Sequence, residues 1–504
     1  MQNSLVKGII VCIILVILCF VVGSLVTESF TAASSVIVVL VGLVFMLLMG
    51  TRSWVLIFLL PPLIELLPFP RALAVVPKDF YVAGLVLVYW LLMWGMRYAK
   101  VRWRSLGAID SCILLLTIVM VVSYIRRPVS VDILGMEGDD IGGAEYVYFL
   151  LALTYYLALS CIPINSNQLG RVINVSVALK LGATFILLVM AITGLRGNAV
   201  EAMSSDGRLW GWHAYGSPFC IAIFSYFSLR SILVNPILLI SAVSSYVPVL
   251  LAGSRNYAGL LGLNIMVLLL IKREVLLSVI AGVMAYAMLM VFSLGGGLND
   301  MPLGVQRICA MLPGIQVSAV AVRDGQGTWD WREQLWELAW DKRTGYIKNY
   351  VFGDGYGQSR SATARRHRSL IRGEYVYGQD LDEFAVNGLW HHGVITAIHR
   401  VGYVGLSVYV VLITLGVFYV FRVCHAWRGT PLFKPLLFYV SAFAVFPPRF
   451  VWGAADLFFH FVHLGILKMA YCMAREEGRI APLFQRRRYQ PLMIQEHGDR
   501  IRPV

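Results

Sequence analysis

The chain predicts an all-α, polytopic transmembrane protein. Three observations support this: 59% of its 504 residues are hydrophobic, long apolar runs recur from the N-terminus almost to the C-terminus, and apolar/polar alternation of period two is missing. A mean hydropathy of +0.73 lies outside the range of soluble globular chains, so apolar side chains must face lipid. Each run is roughly 17 to 25 residues long with few charges, enough to cross a hydrocarbon core about 30 Å thick. A bilayer offers backbone amides no water, so spans are helices or closed barrels, and the missing alternation argues against the barrel.

In chain order the candidate spans are residues 8–26, 34–50, 53–69, 79–97, 108–125, 144–164, 171–193, 214–232, 235–252, 256–271, 274–294, 401–421, 433–448 and 453–473, about fourteen helices. The first exceeds the roughly 7 to 15 apolar residues of a secretory signal and is expected to be a retained span. Of the eight cysteines only Cys309 falls in a long exterior segment, so no disulfide framework is expected.

Taking alternate connections as one side collects Lys7, Arg52, the cluster Arg97, Lys100, Arg102 and Arg104, then Lys272, Arg273, Arg422, Arg428 and the Arg486 to Arg488 tail. The positive-inside rule makes that side, with both termini, cytoplasmic. The net charge of +14 is then a topology signal and an attraction to anionic headgroups, and nucleic acid is not an expected partner. Four regions follow: 1–294 with the first eleven spans, a large outer loop at 295–400, 401–473 with the last three spans, and a basic tail at 474–504. Within the loop, Thr328 to Tyr346 is expected to form a helix capped by Thr328, with Asp330 and Glu333 in its first turn and a stripe of Leu335, Trp336, Leu338 and Trp340. With Trp329 and Trp331 it carries four tryptophans, suited to the headgroup level.

Polar groups that could carry chemistry fall at the outer face. Arg255 sits in a turn between two spans, where it either snorkels or bonds a helix carbonyl, or grips a phosphate bidentately. Arg332 lies one helical turn before Trp336, as surface decoration or as a cation beside an aromatic plane. Gly353-Asp354-Gly355-Tyr356-Gly357 is either a plain turn or a nest of amides for an anion. His391 and His392 precede the next span, where an imidazole either caps the helix entrance or accepts a proton near neutral pH. Neither has partners at metal-ligand spacing, so no metal is expected. Asp456, His460 and His463, at i, i+4 and i+7, share a stripe of the last span, lining a cavity or bonding neighbouring helices. Lys180, mid-span, needs a carboxylate partner, for which Glu65 is conceivable.

Read in order, these pieces resemble the bacterial O-antigen ligase and polysaccharide polymerase family. Ser254-Arg255 is similar to its Ser-Arg motif between adjacent spans, Arg332 to Trp336 to its Arg-x-x-x-Trp motif, and Gly353 to Gly357 to its short glycine turn. His391, eleven residues before Gly402-Tyr403-Val404-Gly405-Leu406, is similar to its loop-terminal His-Asn. Arg208-Leu209-Trp210-Gly211 also looks like the family. The likeness covers roughly residues 208 to 406; His392 stands where the family usually has Asn, and His213 to Pro218 replaces its Asn-Pro-Asn.

The resemblance implies a GT-C-like scaffold in the bacterial inner membrane with a periplasmic active site. It further implies inverting, metal-independent and cofactor-free transfer of a glycan from undecaprenyl diphosphate to a hydroxyl of a glycan, lipid-core or protein acceptor. Arg255 and Arg332 would hold the diphosphate and His391 would be the base, with His392, Arg208, Asp456 and His460 in support. Two other classes compete. A flippase of lipid-linked saccharides is the alternative that makes no bond, and transporters usually carry repeat symmetry. A polyprenyl-monophosphate-sugar transferase would place an acid in the first external loop, where only Glu28 stands.

Overall fold

The computed structural model describes residues 54–64, 94, 104, 107–128, 140–141, 143–162, 164–193, 212–343, 345–356, 358–359, 381, 384–385, 388, 390–453 and 457–480. The expected spans at 8–26 and 34–50, most of that at 79–97, and the tail beyond residue 480 lie outside them. Fifteen described α-helices follow in order. They are α1 (Leu56–Ile64), α2 (Ala108–Arg126), α3 (Ala144–Cys161), α4 (Ser166–Ile192), α5 (His213–Tyr226), α6 (Leu229–Val234), α7 (Pro236–Leu251) and α8 (Arg255–Lys272). Then come α9 (Val275–Leu294), α10 (Leu303–Cys309), α11 (Ala319–Trp340), α12 (Gly393–Trp427), α13 (Phe433–Ala444), α14 (Phe446–Trp452) and α15 (Phe461–Glu476). Six stretches of helix are long and apolar enough to cross a membrane, the last running from Phe433 to Trp452, so the described part is a polytopic helical membrane protein.

The core is built from α2, α3, α4, α12, α13 and α15, whose inward faces hold Leu116, Leu159, Leu169, Leu412, Leu436 and Leu467 at 5% exposure or less. The hydropathy of α9 is uniform, and only Ser293 on it is buried, as suits a helix surrounded by lipid. Local chemistry sets the ends. Asn165 makes a capping box with Gln168 at the start of α4, and Asn235 accepts from Ile237 and Leu238 ahead of Pro236 in α7.

One end of the bundle is basic because cations close helix C-termini there. Arg104 donates to the carbonyls of Ile162 (2.6 Å) and Ile164 (3.2 Å) below α3, and Lys272 to that of Phe227 (2.6 Å) below α5. Arg428 reaches the carbonyl of Ile271. The opposite end carries the loop, which has a small core of its own in Leu335, Leu338, Ile347, Ala385, Trp390 and Ile395. A two-residue antiparallel ladder pairs Asp140 with Ser359 and Ile141 with Gln358, tying the α2–α3 connection to the loop.

Three boundaries differ from expectation. The span expected at 214–232 ends at Phe227, where Ser228 turns extended and caps α6 by accepting from the Ser231 amide. The loop helix starts nine residues earlier than expected, at Ala319: Ser318 is the cap, and the Thr328 hydroxyl donates to the Asp324 carbonyl within the helix. The helix expected from 401 begins at Gly393, with a break at Gly402 (φ 68°, ψ −175°) that separates a roof segment from the span proper.

Candidate functional site

The turn bearing Arg255 is fixed by close packing. A Cβ on Gly304 of α10 would stand 2.9 Å from Gly253 Cα and 3.2 Å from the Leu250 carbonyl, so only glycine lets α10 lie against the end of α7. Arg307 of α10, 4% exposed, pairs with Asp324 of α11 and donates to the Thr328 hydroxyl, fixing α11 over that turn. From the N-terminus of α8 the Arg255 guanidinium donates to the Gly325 carbonyl (3.1 Å), which is the helix-carbonyl contact expected of a structural arginine. It fits because Gly325 has no side chain: a Cβ there would lie 3.0 Å from its terminal nitrogen.

Two turns further along α11 stands Arg332, half-buried. Burial and then the like charge of Arg255 hold its pKa below the usual arginine value, so the two guanidinium groups face one electrostatic environment. Arg332 has no ion pair among the described residues, and an anion beside it would relieve its charge.

Trp331 meets the His391 ring edge-on at 5.6 Å, and Phe384 lies 5.3 Å from it on another side. Trp336 meets His392 at 4.9 Å and donates its indole N–H to the Trp390 carbonyl (2.9 Å). Trp390, fully buried, is held in turn by its own N–H to His399 Nδ1 (3.2 Å). His391 is therefore fixed from both sides, with a backbone φ of 49° that is rare without glycine and costs on the order of 1–3 kcal/mol. Burial, then the Arg332 charge, lowers the His391 pKa, and burial lowers that of His392. The lowered pKa favours the neutral imidazole at both positions, the form that accepts a proton. The Nδ1 of His392 is buried with no hydrogen-bond partner among the described residues.

Arg255, Arg332, His391 and His392 are thus brought together at the loop end. Arg208 and Asp456 lie outside the described residues, as does Glu65. His460 is placed differently from expectation: it ends a 3-10 turn, Leu457–His460, at the N-terminal boundary of α15, rather than sharing a regular helical stripe with His463. The two rings are still 5.2 Å apart. Lys180 lines a cavity of about 310 Å3 together with His463 and Ser217.

The glycine turn offers no amides to a ligand at its start. The Gly353 amide donates to Asn349 (2.8 Å), those of Asp354 and Gly355 to the carbonyls of His399 (2.6 Å) and Arg400 (3.0 Å), and that of Tyr356 to the Tyr146 hydroxyl (3.4 Å). It is a plug that docks the loop onto the roof segment of α12. A Cβ on Gly353 would lie 2.5 Å from the Arg400 carbonyl, and one on Gly402 would lie 2.2 Å from that of Val351.

Sequence reasoning missed Arg449 of α14, which stands within electrostatic range of His213, His460 and His463. The signal was a cation directly after Pro447-Pro448 inside an apolar run. Asn256 joins the two regions by donating to the Trp452 carbonyl (3.1 Å), and Tyr257 stacks on His213 with ring centres 3.6 Å apart.

No protein-family model matches the chain, and no curated protein matches it.

Proposed function

We propose that the protein is a membrane glycosyltransferase that moves a glycan from undecaprenyl diphosphate to an acceptor hydroxyl at the periplasmic face of the bacterial inner membrane, as an O-antigen ligase or polysaccharide polymerase does. The observation that carries this is the convergence of two like-charged guanidinium groups, Arg255 and Arg332, on a neutral imidazole, His391, at the loop end of a lipid-embedded bundle. Paired guanidiniums suit a diphosphate, whose leaving group needs fixed positive charge as the glycosidic bond breaks. The acceptor oxygen attacks the anomeric carbon, the bond to the diphosphate oxygen breaks with inversion, and His391 takes the hydroxyl proton. Proton removal by a placed base contributes about 10² to 10⁴ in rate.

Charge and geometry support the enzyme over the flippase. A transporter has no evident use for a strained, neutral histidine wedged between Trp331 and Phe384 beside a guanidinium. The test is transfer of label from a lipid-diphosphate-linked glycan to acceptor by purified variants. His391→Ala and Arg255→Ala should lose activity by at least about 10²-fold while remaining membrane-inserted, and His392→Ala should be milder. Full activity of the His391 variant defeats the assignment, and a dead His392 variant beside an active His391 variant moves the base by one position.

A further inference from the structure

The break at Gly402 takes the amides of Tyr403 and Val404 out of the α12 ladder, and they donate instead to the loop carbonyls of Tyr350 (2.8 Å) and Val351 (3.1 Å). The amides of the same loop segment are taken up by one residue. The Asn349 side chain accepts from Val351 (3.1 Å) and Phe352 (2.9 Å), and its carbonyl accepts from Gly353 (2.8 Å). Three amides and two carbonyls of this tip are therefore satisfied without water, while the side chains of Val351 (51% exposed) and Phe352 (49%) face outward. Apolar side chains on an internally bonded backbone are what a non-helical segment needs to enter hydrocarbon.

The surroundings of the tip identify the medium. Val351 is bonded to Val404 at the head of the exposed stripe of α12, which continues through Val410, Val411 and Phe418. Phe352 lies under the guanidinium of Arg126 (5.4 Å), the last residue of α2, whose own exposed stripe runs back through Ile125, Val122 and Ile118. Both helices are long and apolar enough to cross a membrane, so the tip prolongs two lipid-facing surfaces at one level. At that level Tyr350 stacks on Trp340 (ring centres 6.1 Å apart) and on Tyr403 (6.5 Å), a row of amphipathic rings of the kind that marks headgroup depth. The rim is basic, with Arg126, Lys342 and Lys348 exposed. Of the acids beside it, Asp341 pairs with Arg343 (3.2 Å) and Asp354 accepts from the amides of Lys348 (2.7 Å) and Asn349 (3.1 Å).

We propose that Val351 and Phe352 form a wedge inserted into the leaflet at the loop end of the bundle, and that Arg126 above Phe352 takes the phosphate of an anionic phospholipid. The wedge enters the boundary between headgroups and acyl chains, a depth of about 5–10 Å, and leaves the guanidinium at the phosphates. This rests neither on the glycosyl-transfer proposal nor on which side of the membrane the loop faces. The insertion bears directly on the plug. Gly353 follows Phe352, and the amides of Asp354 and Gly355 bond the roof segment at His399 and Arg400, so the bilayer sets where the loop sits.

The experiment attaches bimane to the full-length protein through Val351→Cys, which leaves Phe352 and Arg126 intact, in nanodiscs of mixed phosphatidylcholine and phosphatidylglycerol. Wild type treated with the same reagent supplies the background, Ile125→Cys the lipid-exposed reference and Lys342→Cys the aqueous one. Phe352→Cys repeats the measurement at the neighbouring position, so the result does not hang on one variant. Lipid brominated near the top of its acyl chains should quench the probe at 351 at least half as strongly as at 125. Aqueous iodide should quench the probe at 342 about threefold more strongly than at 351. Two preparations of identical headgroup composition, differing only in which lipid carries the bromine, then read the headgroup. Quenching at 351 should be about twofold stronger from brominated phosphatidylglycerol, a preference that Arg126→Gln abolishes and Arg126→Lys keeps. Iodide quenching at 351 equal to that at 342, with none from brominated lipid, overturns the wedge, and equal quenching from the two headgroups overturns the Arg126 site. A response to soluble polysaccharide with no effect of bromine would assign the patch to a glycan and overturn the proposal.

Discussion

In the proposed reaction His391 is the base, because its surroundings favour the neutral imidazole and hold it still. Burial and the Arg332 charge both lower its pKa, so the acid limb of kcat/KM should fall below the ordinary histidine value of about 6.5, with a plateau through neutral pH. The sign is that of a group lost as base when it protonates: activity falls as pH drops through the lowered pKa. Once the anionic donor is bound its charge favours imidazolium, so the limb in kcat should lie at higher pH than the limb in kcat/KM. A kcat/KM limb above 7 would contradict this. Trp336 is a positioning residue, its N–H holding the Trp390 carbonyl next to the strained histidine. Trp336→Phe keeps the ring against His392 and loses that bond, and kcat should drop about tenfold with KM changed less than twofold, a loss of roughly 1.4 kcal/mol in the transition state.

Among the elements, the loop is joined to the bundle by close backbone contacts at two glycines as well as by apolar packing of Leu298, Cys309 and Ile315 against α9. Gly353 and Gly402 each have positive φ and each face a carbonyl that a methyl group would strike. Gly353→Ala or Gly402→Ala should each loosen the loop by about 1–3 kcal/mol. Faster proteolytic cleavage within residues 295–392, with the spans still protected, is the expected result; an unchanged cleavage rate would show that the plug does not fasten the loop. These contacts also mark what could be read from the chain alone. Hydropathy is a local property, so α2, α4, α8, α9 and α12 were legible as spans from their own residues. The break at Phe227–Ser228 was hidden, because both flanks are apolar and the cap that makes it is a single hydroxyl. Ser318 is hard to read as the start of α11 because Thr328, followed by acidic residues, looks like a better cap than it is. At the site, Arg255, Arg332 and His391 were visible through spacing, whereas Arg449 was not, since α13 and α14 make one apolar run.

For the molecule as a whole, the pairing that spans most of the chain was beyond any local reading. Lys468 of α15, fully buried, donates to Asp110 of α2 at 2.6 Å across 358 positions, and the Tyr156 hydroxyl donates to the same oxygen at 2.5 Å. Lys468→Met should cost about 3–5 kcal/mol by removing the buried cation beside the Asp110 carboxylate, and Lys468→Met with Asp110→Asn should recover most of it. Thermal midpoints in detergent check this, and an undiminished midpoint for the single variant would contradict it. The basic end that closes helices α3 and α5 and the loop end that gathers the arginines also imply opposite sides of the membrane. Single cysteines at Arg255 or Arg332 should react with an impermeant thiol reagent added outside the cell, and one at Arg428 should not; the reverse pattern would place the site in the cytosol.

If the bond between glycan and lipid diphosphate breaks beside Arg255 and Arg332, as proposed, the lipid product reports it. Purified protein in nanodiscs, given a doubly labelled undecaprenyl-diphosphate glycan and acceptor in the presence of a metal chelator, should release undecaprenyl diphosphate in step with glycan appearing on the acceptor. Intact donor on both sides of a sealed vesicle with no lipid diphosphate freed, or release of undecaprenyl monophosphate, would contradict it.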